Sequence, residues 1–128
     1  MRVKGQHIAA IARENEAFRR EVLTGEHSQV VVMAIPPGGE IGEEVHDQVD
    51  QTLFFVGGTG EAVLEGERSS IGPTDVVFVR AGTRHNFLNT GDALLRLATI
   101  YAPPEHEPGT VHATKEEADR AERNSGER

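Results

Sequence analysis

From residue 36 onward the chain is broken every few residues by a turn signal, and no stretch between two signals is long enough for a helix of several turns. Pro36-Pro-Gly-Gly39, Gly57-Gly-Thr-Gly60, Glu65-Gly-Glu67, Gly72-Pro-Thr-Asp75, Arg80-Ala-Gly-Thr83 and Asn89-Thr-Gly-Asp92 each carry glycine, most of them beside proline or a small polar residue. Such residues supply left-handed or fixed backbone angles at little steric cost. Between them lie strand-length stretches at 51–56, 61–64, 76–79, 85–88 and 93–101. Upstream, residues 30–35 read Val-Val-Val-Met-Ala-Ile, a continuous apolar run that fits a buried strand. Many short strands with glycine-rich turns predict an all-β barrel or sandwich of about six to ten strands. A parallel α/β fold would need helices for which this pattern leaves no room.

The two ends have a different character. Residues 1–21 fit neither the helix nor the strand period well, and predict a short helical turn followed by a strand over about 18–23. Past Tyr101, Pro103 and Pro104 end the last strand, and Thr114-Lys-Glu-Glu117 forms a capping box that opens a short helix to about residue 123. Residues 1–128 are expected to form a single domain, with the barrel core over about 18–102 and a tail over 103–128.

The chemistry concentrates in Gly42 to Gln51, GEEVHDQVDQ, answered by His85 in AGTRHNFLN. On a strand, residues two apart share a face at roughly 6.6 Å between Cα atoms, so Glu44 and His46 suit one ion. Gln51 and His85 each open a strand-like run, which lets four nitrogen and oxygen donors converge inside a sheet. Glu43 is the rival to Glu44, since a bulge would exchange the two. His7 and His27 lie in polar surroundings and read as solvated. His106 and His112 lie in the tail and read as exposed, unless the tail folds over the barrel mouth and brings one of them near the ion.

These residues resemble the two short motifs of the cupin superfamily. In the first motif a Pro-Gly turn leads through His-x-His to Glu and Gly. Pro37, Gly38 and Gly39 supply the turn, Glu44 stands where the first His is expected, His46 matches the second, Gln51 takes the Glu place and Gly58 closes the motif. In the second, Asp75, Gly82, His85 and Asn89 match, whereas Thr74 replaces a Gly and Arg80 replaces a Pro. The resemblance implies a cupin β-barrel, a double-stranded β-helix or jelly roll, with a short C-terminal helix. It also implies one divalent ion held by Glu44, His46, Gln51 and His85. The substitutions permute the family's ligands but keep the formal charge of minus one, and the content of two His, one Glu and one Gln is similar to that of zinc-dependent phosphomannose isomerases. Zn²⁺ or Mn²⁺ suits such donors, with Fe or Ni as alternatives.

Composition limits the remaining functions. The absence of cysteine excludes disulfides, thiolate sites and cysteine nucleophiles. A net charge of −8 without a basic patch argues against nucleic acid. Arg19, Arg20, Arg80 and Arg84 read as solvated surface. No segment is apolar enough for a secretory core or a membrane span, and a cytoplasmic location is the expectation. No phosphate loop or dinucleotide fingerprint is present.

The reading that results is a metal-dependent isomerase or epimerase acting on a small polar substrate such as a sugar or sugar phosphate. Arg80 and Tyr101 are the candidate substrate contacts, and Tyr101 and Glu43 the candidate proton carriers. A cupin dioxygenase using Fe and a non-catalytic small-molecule binding module are the alternatives, since this fold hosts many activities. A homodimer is expected, with 30–35 as the strand that pairs between copies.

Overall fold

The computed structural model describes residues 6–124. Among these residues, nine strands form two antiparallel sheets, which face each other across one core. The strands are β1 (Arg19–Thr24), β2 (Gln29–Ile35), β3 (Asp50–Gly57), β4 (Gly60–Leu64), β5 (Glu67–Ile71), β6 (Val76–Val79), β7 (His85–Asn89), β8 (Leu95–Ala102) and β9 (Val111–His112). One sheet runs β6-β3-β8-β2-β1-β9 and the other β5-β4-β7. Helices α1 (Ile8–Glu14) and α2 (Lys115–Asn124) flank them. This is the all-β cupin architecture with a short C-terminal helix.

The apolar run at 30–35 is buried on both faces for two separate reasons. Val31, Met33 and Ile35 point into the core with Leu53, Phe55, Phe87, Leu95 and Leu97. Val32, on the other face, packs with Ala98 under Ile8, Ile11 and Ala12 of α1. Those three helix residues, at i, i+3 and i+4, make the stripe that seats this short helix. β2 lies between β8 and β1, so it offers no free edge, and the expectation that it pairs between copies fails.

Two strands escaped the sequence pattern. β5 exposes Glu67, Arg68, Ser69 and Ser70 and buries only Ile71, so it carries no apolar alternation. Its partner β4 recruits it through a two-residue hairpin, with Glu65 at φ 50° and Gly66 at φ 84°, the left-handed pair that matches strand twist. β9 is a two-residue strand that ties the tail to β1. α2 begins as expected: Thr114 Oγ1 accepts the Glu117 N–H at 3.1 Å. The Glu117 carboxylate accepts the N–H of Ala113 at 2.6 Å, one residue earlier than the motif implies.

Two substituted or matched motif positions have a backbone explanation. Gly58 has φ 83°, and a Cβ there would run into the Leu94 carbonyl oxygen. Thr74, where the family carries glycine, holds φ 73°, an unfavourable angle for a β-branched residue. Asn89 is structural: its amide donates to the carbonyls of Ile35 and Ala93, each at 2.8 Å, and closes the turn after β7.

Candidate metal centre

The segment after the Pro36 turn runs antiparallel to β7 and extends the smaller sheet. Ile41 donates to the Phe87 carbonyl at 3.0 Å, and Glu44 and His85 exchange both backbone bonds, at 2.9 and 3.0 Å. That exchange sets Glu44 directly opposite His85, so their side chains share a face. Gly42, at φ 112°, kinks the chain between these contacts, and the Asn86 amide oxygen accepts its N–H at 2.8 Å. Glu43 is thereby turned outward to Arg84, at 3.4 Å. Glu44, rather than Glu43, enters the interior. His46 follows in irregular extended chain instead of a strand, held where Gly82 donates to its carbonyl at 2.8 Å.

Glu44, His46 and His85 converge, with one potential ligand atom from each lying within 4.8 Å of the others. Glu44 Oε1 is 3.1 Å from His46 Nε2 and 3.8 Å from His85 Nε2. Gln51, on β3, stands across from Tyr101 on β8, whose ring lies 6.2 Å from that of His46. Gln51 Nε2 donates to Thr99 Oγ1 at 3.0 Å, while its Oε1 is buried without a hydrogen-bond partner among the described residues. His85 Nε2 is orphaned in the same way. Buried acceptors left unpaired are costly, and a cation is what such donors suit. The donor chemistry therefore fits a divalent ion, with His85 oriented by its Nδ1, 2.8 Å from the Thr83 carbonyl.

The electrostatics are those of a mutually stabilised cluster. Burial raises the Glu44 carboxyl, but its bond to His46 and the nearby charges of His46, Arg19 and His85 outweigh that and bring it below the ordinary value. The same bond raises His46 against the effect of burial. Burial lowers His85. Tyr101 is buried and its phenol is pushed well up, so it stays a neutral donor.

Other assignments need correction. Arg19 is not solvated: it is 3% exposed, its guanidinium lies 5.3 Å over the Phe18 ring, and it faces the His112 ring at 3.4 Å. Its place opposite inward-facing Met33 explains this. Arg20, Arg84, His7 and His27 are exposed, as expected. Arg80 is exposed on the turn after β6 and does not line the cavity described next. His106 and His112 are half-buried, because the tail folds back over the barrel. A cavity of about 230 Å³ opens onto the cluster, lined by Glu44, Val45 and His46 from the barrel and Glu105, His106 and Glu122 from the tail. Glu105 carried no sequence signal beyond following two prolines.

Comparison with known proteins agrees with this architecture. Over 122 residues the chain is 38% identical to the uncharacterized protein YrkC of Bacillus subtilis, covering 91% of this chain and 66% of YrkC. It is 30% identical to the uncharacterized protein L612 of Acanthamoeba polyphaga mimivirus over 102 residues, covering 77% of this chain and 64% of L612. The chain thus spans about two thirds of the length of these curated relatives. The crystal structure of BH2720 from Bacillus halodurans superposes with a TM-score of 0.91 at 38% identity, covering 93% of this chain and 95% of that one. Residues 31–101 match the cupin domain, and the chain belongs to the cupin family.

Proposed function

We propose that this cupin holds one divalent ion, Zn²⁺ or Mn²⁺, through Glu44, His46, Gln51 and His85, and isomerises or epimerises a small polar substrate of the sugar type. The observation that carries the reading is the convergence of Glu44, His46 and His85 beside two orphaned buried atoms. When bound, such an ion polarises a carbonyl or fixes vicinal oxygens. The chain's own contributions are separate from that chemistry. Glu44 brings the one negative charge of the donor set, and the Thr83 carbonyl fixes the His85 ring. Tyr101, buried beside the His46 and His106 rings, keeps its phenol neutral. The tail narrows the mouth of the cavity of about 230 Å³, which suits a small ligand. Among the described residues, the charged groups lining the cavity are carboxylates, with no lysine or arginine, which favours an uncharged sugar over a sugar phosphate.

The test is incubation of Mn²⁺- or Zn²⁺-loaded protein with a panel of aldoses and ketoses in D₂O, followed by proton NMR. Interconversion with deuterium incorporation beside the carbonyl, abolished by a chelator, is the expected result. Binding of a sugar without any exchange or interconversion would overturn the enzymatic reading in favour of a binding module.

The proposal includes a homodimer formed through the outer face of the larger sheet at its β6 edge. Phe54, Val76, Phe78 and Ile100 are 38%, 62%, 55% and 44% exposed, and strand register puts them on one face. A contiguous apolar patch of this kind favours association. Light scattering should give twice the 13.9 kDa chain mass, and the chain mass itself at micromolar concentration would contradict it.

A further inference from the structure

We infer that Glu105 is a positioning residue of the metal centre: the C-terminal segment delivers it, the buried side chain of Gln29 holds it in place, and it sets the tautomer of His46. The inference rests on the metal-centre reading and adds to it a part of the chain outside both cupin motifs.

His46 Nε2 lies 3.1 Å from Glu44 Oε1, on the side of His85. Nδ1 therefore points away from the donor cluster, and Glu105 Oε2 lies 3.7 Å from it. A neutral imidazole carries one N–H, and ligation through Nε2 requires that proton on Nδ1. A carboxylate beside Nδ1 favours that tautomer and makes Nε2 more basic. His85 is arranged in the same sense by backbone: its Nδ1 faces the Thr83 carbonyl at 2.8 Å, and a carbonyl only accepts. His46 has a carboxylate in the corresponding place, Glu105 from the tail, at 3.7 Å an ion-pair contact longer than a hydrogen bond.

The attachment of that partner is specific. Gln29 is 1% exposed and opens β2 across from Tyr101. Its Oε1 accepts the N–H groups of Glu105 and His106, at 3.1 and 3.0 Å. Its Nε2 donates to the His106 carbonyl at 2.7 Å and to Thr24 Oγ1 at 2.9 Å. One buried amide thus fixes the backbone on both sides of the 105–106 peptide, and the His106 ring packs edge-on against Tyr101, at 5.1 Å between centroids. Tyr101 in turn meets His46 edge-on. If the clamp served stability alone, the Glu105 carboxylate would be free to change without consequence for the ion.

The experiment titrates Zn²⁺ calorimetrically into metal-stripped wild type, Glu105→Ala, Glu105→Gln, Gln29→Ala and His85→Ala. It is paired with His46 ring ¹⁵N shifts of the Zn²⁺-loaded proteins and melting temperatures of the metal-free proteins. Glu105→Ala should bind Zn²⁺ about 10- to 100-fold more weakly, the usual cost of losing a partner behind a metal-binding histidine. In the Zn²⁺-loaded variant the His46 Nδ1 shift should then report loss of the carboxylate beside it, with the melting temperature of the metal-free protein nearly unchanged. Glu105→Gln, whose amide oxygen still accepts, should recover part of the affinity. Gln29→Ala should weaken binding in the same direction and also melt earlier. Wild-type affinity and Nδ1 shift in Glu105→Ala, with weakened binding in His85→Ala, would refute the inference and leave the metal centre standing. Wild-type affinity in His85→Ala as well would overturn both.

Discussion

Replacing Gln51 by leucine should separate stability from metal affinity, moving them in opposite directions. Gln51 is 3% exposed, and its Oε1 has no partner among the described residues. A buried acceptor in that state costs about 1–3 kcal/mol, whereas the bond from Nε2 to Thr99 contributes about 1 kcal/mol. Leucine has a similar volume and removes both. Thr99, which is fully buried, then loses its donor, which takes back part of the gain. The expected balance for metal-free protein lies between zero and about 2 kcal/mol of added stability. At about 3–5 °C per kcal/mol for a domain of this size, the melting temperature should hold or rise by up to about 10 °C. Zn²⁺ affinity should fall about tenfold, or 1.4 kcal/mol, as water takes the place of one neutral oxygen donor. Differential scanning calorimetry on chelator-treated protein and isothermal titration on the same preparations read both quantities. A melting temperature that drops by more than about 5 °C with unchanged Zn²⁺ affinity would refute the reasoning. Gln51 would then be a polar core residue and not a donor.

Three further outcomes follow from the same structure. Metal binding should weaken as pH falls, because only a neutral imidazole ligates. The onset should lie above the ordinary histidine value of 6.5, since the Glu44 bond keeps His46 protonated to higher pH. Glu44→Gln removes the negative charge behind that bond and should move the onset down, as read by Zn²⁺ titrations across pH. Thr74→Gly should raise the melting temperature by about 3–5 °C, since relief of a left-handed β-branched residue is worth about 1 kcal/mol. Gly58→Ala should lower it by about 6–15 °C, since φ of 83° and the Leu94 carbonyl together cost roughly 2–3 kcal/mol.

What the sequence made legible was decided by how locally each feature is encoded. Strands at 30–35, 51–56 and 76–79 were visible because burial imposes apolar residues and the turns between them impose glycine. β5 was invisible because an exposed edge strand is specified by its hairpin and its partner, not by its own side chains. Glu44, His46 and His85 were legible as a group because these residues sit at motif spacing. The choice of Glu44 over Glu43 depended on the kink at Gly42 and the Arg84 partner, both of which are tertiary. Arg19 and Glu105 were missed for a related reason. Glu105 reaches the site only through the return of the tail, and Arg19 is turned inward by its register opposite Met33; nothing in the residues around them encodes either.

The central claim is most directly tested by metal content and titration of wild type, His46→Ala and His85→Ala. The account predicts one divalent ion per chain in wild type and a loss of affinity of about 100-fold or more in each variant, exceeding the loss in Gln51→Leu, because imidazole is the stronger donor to a first-row ion. Full stoichiometry and wild-type affinity in both histidine variants would contradict it.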